Sequence, residues 1–216
     1  MTYHGTVTPG GPPEVRELAD LIITKVAVGP LETNAYLLRC RRSGEELMID
    51  AGAEPDRLLE LVADGPLTTV VTTHRHRDHW GALAAVAEAT GALTIAHRLD
   101  AAGIGYPTDR TVDDGDTVAL GVLSLTVLHL PGHTPGCLAL LYDDPHGTPH
   151  LWTGDALFPG GVGATEPDTF ETAMRSVESK VFAALPDETW VYPGHGDDTT
   201  VGREHPHLPE WWARRW

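Results

Sequence analysis

The sequence is centred on one histidine-rich stretch, Thr72-Thr73-His74-Arg75-His76-Arg77-Asp78-His79-Trp80-Gly81. Three imidazoles and one carboxylate fall within six consecutive positions, directly after the run Leu67–Val71. On an extended backbone, side chains two residues apart point the same way, so His74 and His76 can bind one ion from the same side. A chain that turns into a helix at Asp78 and His79 redirects these two side chains toward a second position. Imidazole nitrogen combined with carboxylate oxygen is typical of sites for zinc, iron and similar metals. The stretch therefore predicts a metal centre between a strand and a helix.

The composition limits the kind of protein and the kind of partner. The chain has 216 residues, 41% of them hydrophobic, which is enough for one large domain with a substantial core. Its formal charge of −16 argues against nucleic acid and against an acidic membrane surface as partners. Cys40 and Cys137 are too few for a disulfide framework and are expected to be reduced, packed thiols.

Targeting segments are not evident either. The first twenty residues contain no apolar core of the signal-peptide type, and the chain contains no apolar stretch long enough to cross a membrane. We therefore expect a cytoplasmic protein that makes no contact with membranes. We expect it to act on a small-molecule substrate, as a monomer or a small homo-oligomer.

The N-terminal third predicts a leader followed by an antiparallel meander. Residues 1–20, with the Gly10-Gly11-Pro12-Pro13 segment, are expected to form a mobile leader before a single domain that spans 21–216. Residues 21–28, 35–40 and 46–50 predict three short strands separated by turn signals. A helix with Pro55 near its start follows them.

The remainder of the chain alternates strands and helices. A strand at 67–73 leads into the histidine-rich loop, and an alanine-rich helix at 81–90 is closed by Gly91. A second long helix is predicted at 168–185, and a short C-terminal tail is expected to dock Trp211, Trp212 and Trp216 on the core. Further strands are predicted at 93–96, 118–120, 123–130, 137–142, 151–153 and 190–192.

Other possible ligands also follow predicted strands. His133 lies in the turn 131–136, Asp155 follows Gly154, and His195 follows Gly194. If these turns meet the histidine-rich loop at one edge of the fold, five histidines and two aspartates can hold two ions that share one carboxylate. Two divalent ions leave such a centre with a net positive charge, which favours a carbonyl or an anion as substrate. The candidate ligands are His74, His76, Asp78, His79, His133, Asp155 and His195.

In these motifs the sequence resembles the metallo-β-lactamase superfamily, and within it the glyoxalase II-like (hydroxyacylglutathione hydrolase-like) metallo-hydrolases. The resemblance implies an α+β fold, a single-domain αββα sandwich with the metal ions at one edge. The matching segments run in family order over most of the chain, at 73–79, 132–134, 153–155 and 193–195, with less specific matches at 32–37 and 49–52.

The resemblance also implies how the ligands divide. His74, His76 and His133 would hold the first ion, Asp78, His79 and His195 would hold the second, and Asp155 would bridge the two. Two divalent ions are expected, with zinc favoured and iron or manganese as alternatives. Asp78 and Asp155 are then the candidate catalytic residues, acting with a metal-bound hydroxide.

Hydrolysis of a thioester, as by glyoxalase II, is the leading functional hypothesis. A persulfide dioxygenase is the alternative from another reaction class, with one Fe(II) held by His74, His133 and Asp155. A lactonase would use the same seven ligands. Two departures from the family pattern argue against glutathione as the thiol carrier. Ala164 follows Gly163 where a basic residue is usual, and the chain ends about 20 residues beyond His195, without a helical glutathione-binding domain.

Several residues near these motifs have more than one interpretation. His129 can donate to a ligand or cap its strand, and His97 is expected to be a packed or surface histidine. Asp50 is expected to bond loop backbone near the site. Trp80 is either a core residue or part of the pocket mouth.

Overall fold

Two β-sheets face each other in the structure, a computed structural model that describes residues 3–62 and 65–215. The first sheet has seven strands, which follow one another in space in chain order. The first three pairings are antiparallel, and β4, β5, β6 and β7 run parallel to one another. These strands are β1 (Glu14–Glu17), β2 (Leu21–Val28), β3 (Thr33–Cys40), β4 (Glu46–Ile49), β5 (Leu67–Thr72), β6 (Leu93–His97) and β7 (Arg110–Val112).

The second sheet has six strands in the order β13-β12-β11-β10-β9-β8. All its neighbouring strands are antiparallel except β11 and β12, which run parallel. Its strands are β8 (Thr117–Leu120), β9 (Leu123–His129), β10 (Leu138–Tyr142), β11 (His150–Gly154), β12 (Trp190–Pro193) and β13 (Thr199–Thr200).

Helices cover the outer faces of both sheets. Helices α1 (Pro55–Leu61) and α2 (Leu83–Thr90) share an apolar cluster with the first sheet. Helices α3 (Phe170–Val177), α4 (Val201–Glu204) and α5 (Leu208–Arg214) share another with the second sheet. A third cluster fills the space between the sheets. The α+β prediction, a single-domain αββα sandwich, is therefore confirmed.

The sequence of β5 explains why this strand can carry the ligand loop. Five of its six residues are buried, as expected for a parallel strand covered on both faces, and it pairs with β4 and β6. The chain leaves β5 after Thr72 and forms a single 3₁₀ turn at Arg77–His79 before α2. Gly91 closes α2 at φ 72°, a left-handed conformation that glycine adopts without steric cost.

The predicted leader does not stand apart from the domain. Residues 14–17 form β1, an edge strand antiparallel to β2, and the Tyr3 hydroxyl donates to Asp198 at 2.6 Å. Sequence patterns missed β1 because all four of its residues are partly or fully exposed, two of them are glutamates, and the preceding segment is rich in Gly and Pro.

The C-terminal region is also more regular than a tail. It contains α4 and α5, and α5 buries Trp211 against the second sheet while Trp212 is half-buried. Trp216 lies outside the described residues. Docking of this region on the core is confirmed for the two tryptophans that the structure describes.

The long helix predicted at 168–185 is shorter in the structure, and it changes from α-helical to π-helical hydrogen bonding. The α-helix α3 ends at Val177 and continues as a π-helical turn at Glu178–Phe182. Ser176 and Ser179 donate hydroxyl hydrogen bonds to the carbonyl oxygens of Ala173 and Arg175, which competes with the regular ladder at this point. Among the described residues, no helix is long and apolar enough to span a bilayer.

Candidate metal centre

All seven predicted ligands meet at one edge of the sandwich. His74 follows β5, His133 lies in the turn between β9 and β10, Asp155 follows β11, and His195 follows β12. The 3₁₀ turn after β5 supplies Asp78 and His79. The strand ends converge here because β5, β11 and β12 finish at the same edge of the two packed sheets.

The first group of ligands consists of three imidazoles. His76 Nδ1 lies 3.1 Å from His74 Nε2 and 2.8 Å from His133 Nε2. His74 is fully buried, whereas the edge formed by His76 opens to solvent. Three ring nitrogens therefore face one point that a ligand can reach from solvent.

The second group combines two imidazoles with a carboxylate. His79 Nε2 and His195 Nε2 are 3.2 Å apart, and Asp78 Oδ2 lies 3.3 and 3.2 Å from them, respectively. Thr33 donates its hydroxyl to the same Asp78 oxygen at 3.2 Å, which fixes the orientation of the carboxylate.

Asp155 lies between the two groups. Its Oδ2 is 3.4 Å from His133 Nε2 and 3.6 Å from His195 Nε2, and its Oδ1 is 3.4 Å from His79 Nε2. Within the described residues, Asp155 Oδ1 is buried and has no hydrogen-bond partner. Gly194 permits this close packing, since a Cβ at that position would lie 2.1 Å from Asp155 Oδ1.

The hydrogen bonds behind the imidazoles indicate which nitrogens are free to bind a metal. His133 Nδ1 donates to the carbonyl of Ala164 at 2.7 Å, and His195 Nδ1 donates to the carbonyl of Leu31 at 2.9 Å. In a neutral ring the other nitrogen, Nε2, then carries a lone pair directed into the cluster. Lone pairs that face one another beside an unpartnered carboxylate oxygen need a cation, so the donor set fits divalent metal ions.

Asp50 supports the second group from behind. Its Oδ2 lies 2.8 Å from His79 Nδ1 and accepts the Thr73 hydroxyl at 2.8 Å, while its Oδ1 accepts the Thr73 amide at 2.8 Å. The residue adopts a left-handed conformation, φ 59°, which aspartate tolerates better than most residues. Bonding to loop backbone was expected of Asp50, but its contact with a candidate ligand was not.

Asp100 was missed by the sequence analysis because it lies in no recognisable motif. Its buried carboxylate accepts hydrogen bonds from the Arg75 amide at 3.1 Å, the Gly136 amide at 2.9 Å and the Thr134 hydroxyl at 2.5 Å. It thereby joins the loop that carries His74 and His76 to the turn that carries His133.

Two open interpretations are resolved by the geometry. His129 contacts none of the candidate ligands; its Nε2 donates to the carbonyl of Pro135 at 2.8 Å, and its ring stacks on His97 with centroids 4.0 Å apart. His97 is a packed histidine, as predicted. Trp80 is half-buried against the apolar cluster of the first sheet, as the core interpretation requires, and it donates to the Arg75 carbonyl of the ligand loop at 2.8 Å.

The electrostatics of the cluster favour metal binding. Burial lowers the pKa of His74 and of His76, and the neighbouring imidazoles lower both further, which keeps these rings neutral. Hydrogen bonds from His195 and His79 hold the pKa of Asp78 far below its usual range. Burial opposes protonation of His79, but Asp50 and the other carboxylates outweigh it and raise its pKa to about 10. The carboxylates therefore attract positive charge strongly at this point, whether a proton or a metal ion.

Comparison with known proteins identifies the class. The profile of the Metallo-beta-lactamase superfamily matches residues 28–195, a span that contains every candidate ligand. The chain therefore belongs to the metallo-β-lactamase superfamily, and the resemblance found in the sequence is confirmed.

Three similar proteins show which members of the superfamily this chain resembles, but they do not establish its substrate. A hydroxyacylglutathione hydrolase from Polaromonas sp. (strain JS666 / ATCC BAA-500) is 36% identical over 178 residues, which cover 81% of this chain and 66% of that protein. The crystal structure of ETHE1 from Myxococcus xanthus has a TM-score of 0.76 and 32% identity, covering 87% of this chain and 83% of its own. TTHA1623, solved in a di-iron-bound form, has a TM-score of 0.70 and 34% identity, covering 84% and 96%.

Proposed function

We propose that the protein is a dinuclear metallo-hydrolase that cleaves a small-molecule thioester, in the manner of glyoxalase II. The observation that carries this proposal is the position of Asp155, between two ligand groups and with a buried oxygen that has no described hydrogen-bond partner. In this assignment His74, His76 and His133 would hold one ion, and Asp78, His79 and His195 would hold the other. Asp155 would hold both ions.

Each residue has a definite task in the reaction. Two divalent ions held by these residues would supply Lewis acidity and would lower the pKa of bound water toward about 7. Asp78 and Asp155 fix the spacing of the two ligand groups and supply negative charge. Asp50 and the backbone carbonyls of Leu31 and Ala164 hold the imidazoles in the tautomers that metal binding requires. Hydrolysis adds water across the C–S bond and yields a thiol and a carboxylic acid, which releases its proton at neutral pH.

A thioester is favoured over other carbonyl substrates by the hydroxyacylglutathione hydrolase relative, which is 36% identical. A thiolate is also a good leaving group, so no separate general acid is needed. We propose zinc as the native metal, with iron or manganese as alternatives; the di-iron form of TTHA1623 supports iron as one of these. We further propose a cytoplasmic location, which the two buried, free cysteines support. We propose no nucleic-acid or membrane partner, and a monomer or a small homo-oligomer.

The test combines metal analysis with a substrate panel. Protein purified without added metal is analysed for zinc, iron and manganese, and its hydrolysis of thioesters, oxygen esters and lactones is measured. We expect about two ions per chain and a kcat/KM for thioesters above those for the other classes. Chelation should abolish activity and readdition of metal should restore it. One ion per chain together with oxygen consumption, or a clear preference for lactones, would overturn the proposal.

A further inference from the structure

A cavity of about 470 Å³ opens beside the second ligand group. Three segments form it: the loop between β2 and β3, the turn before α1, and the 3₁₀ turn with its exit toward α2. It reaches Asp78 and Thr33, so a molecule in this cavity lies next to the candidate metal centre. Most of its other lining residues are apolar or glycine, including Val28, Pro30, Leu31, Ala53 and Pro55.

Arg77 lines the same cavity, directly before Asp78 in the chain. It is exposed, and within residues 3–62 and 65–215 no hydrogen bond or ion pair involves its side chain. The other charged side chains of the cavity are Asp78, which belongs to the second ligand group, and Glu54, which is already engaged. Glu54 Oε1 accepts the Gly29 amide at 2.7 Å, and its Oε2 lies 3.5 Å from the guanidinium of Arg57. Arg77 is therefore the charged side chain of this cavity that is available to bind a ligand.

We propose that Arg77 is a specificity-determining residue that recognises a carboxylate at the far end of the substrate's acyl chain. The inference rests on the proposed thioesterase function and names its substrate class, thioesters of ω-carboxy fatty acids. Arginine presents several N–H donors in a fixed plane that matches a carboxylate. A hydrocarbon chain suits the apolar lining, whereas a thiol carrier with amide groups would leave its polar groups unpaired there. On a chain of net charge −16, an anionic substrate needs such a local cation.

The test uses substrates that differ in a single charge. Adipoyl and hexanoyl thioesters of N-acetylcysteamine have acyl chains of equal length, and only the adipoyl chain ends in a carboxylate. We expect the wild type to favour the adipoyl thioester by about tenfold in kcat/KM, since solvent exposure screens the contact. Arg77→Gln should remove this preference by slowing adipoyl turnover alone, and Arg77→Glu should reverse it.

Arg75 supplies the matched control. It lies two residues earlier in the same loop, but its side chain packs against Gly103 and its Nε lies 4.0 Å from Asp100 Oδ1. Arg75→Gln removes the same charge, so it should leave the adipoyl preference intact. An equal loss of the adipoyl preference in both variants would mean that the preference depends on the net charge of the loop and not on a contact with Arg77. That result would overturn the proposal. A preference for thioesters whose carboxylate sits on the thiol side would also overturn it.

A binding measurement separates this inference from the proposed function. Calorimetry on the metal-loaded protein compares adipate with hexanoate, because both can reach the centre with one carboxylate and only adipate has a second. We expect adipate to bind about tenfold tighter in the wild type and no tighter in Arg77→Gln. Tighter adipate binding without any thioester turnover contradicts the proposed function alone. Thioester turnover with equal binding of the two acids contradicts the role of Arg77 alone.

Discussion

The carboxylate of Asp50 lies 2.8 Å from Nδ1 of His79, and both side chains are buried at the base of the candidate metal centre. This contact fixes the tautomer and the ring orientation of His79, which leaves Nε2 directed at His195 and Asp78. The same carboxylate holds Thr73, the last residue before the first candidate ligand. Asp50 therefore connects the end of β5 to the second ligand group.

We predict that Asp50→Asn weakens binding of the second ion by about 10- to 100-fold. Both oxygens of Asp50 accept hydrogen bonds from donors, and an amide NH₂ in place of either oxygen would face a donor. Competitive chelation followed by metal analysis measures the effect, and circular dichroism checks the fold.

Asp109→Asn is the matched control for this experiment. Asp109 also holds a loop by accepting hydrogen bonds from the Thr94 amide and hydroxyl, each at 2.9 Å, but it has no described contact with the cluster. Its metal affinity should equal that of the wild type. If Asp50→Asn also retained both ions with unchanged affinity, Asp50 would have no role in the centre.

We predict that Asp155→Ala abolishes hydrolysis and leaves the fold largely intact. Asp155 contacts both ligand groups, so its loss leaves two positive ions without the carboxylate that they share. Metal content, turnover and the far-UV spectrum are measured on the same preparation. Turnover at the wild-type rate with full metal content would remove Asp155 from the centre.

Asp78→Ala and His195→Ala separate a two-ion hydrolase from a one-ion iron dioxygenase. If two ions are required, each variant should lose one ion and hydrolyse thioesters orders of magnitude more slowly. If one iron bound by His74, His133 and Asp155 does the chemistry, both variants should keep iron and consume oxygen. Thioesterase activity at the wild-type level in both variants would contradict the dinuclear mechanism.

The sequence allowed the convergence of the seven candidate ligands to be predicted because they occur in short motifs at strand ends, while their role as metal ligands stays a prediction. The bounds of β2 agree with the prediction residue by residue, and all seven predicted ligands converge. Asp100 and the carbonyls of Leu31 and Ala164 could not be predicted, since no local pattern marks a residue whose partners are distant in the chain. Strands β7 and β13 were missed because they have three and two residues, too few for a periodic signal.

Glutathione as the thiol carrier is tested by Ala164→Arg. Ala164 is exposed beside the centre and accepts the hydrogen bond from His133 with its backbone carbonyl, so a longer side chain leaves that hydrogen bond in place. Lys180 cannot readily substitute, because its Nζ is bound to Asp114 at 2.7 Å and to the His129 carbonyl at 2.9 Å. We expect a high KM for S-lactoylglutathione in the wild type and a KM about tenfold lower in Ala164→Arg, with little change in kcat. A low-micromolar KM in the wild type, unaffected by the substitution, would mean that another residue binds the carrier.

Acid stability should depend on His150, which lies in β11 away from the cluster. The side chain is buried, and its Nδ1 accepts a hydrogen bond from the Tyr192 hydroxyl at 2.9 Å, which in turn accepts one from Arg16 at 3.3 Å. Burial, with a smaller contribution from the Arg16 charge, lowers the pKa of His150 from 6.5 to about 3. Because this pKa is lower in the folded than in the unfolded chain, unfolding takes up a proton once the pH falls below 6.5.

The stability that neutral His150 contributes is therefore complete above pH 6.5 and is lost as the pH falls toward about 3. The free energy of unfolding should decrease by up to about 1.4 kcal/mol per pH unit in this window because of His150 alone. His150→Gln keeps an acceptor for Tyr192 but cannot titrate. As the pH falls, the unfolding free energy of this variant should therefore decrease by up to about 1.4 kcal/mol per pH unit less than that of the wild type. His4→Gln, at an exposed position, is the control and should follow the wild type. Urea denaturation of the three proteins from pH 7 to pH 4 measures the difference, and parallel curves for the wild type and His150→Gln would show that His150 does not couple to folding.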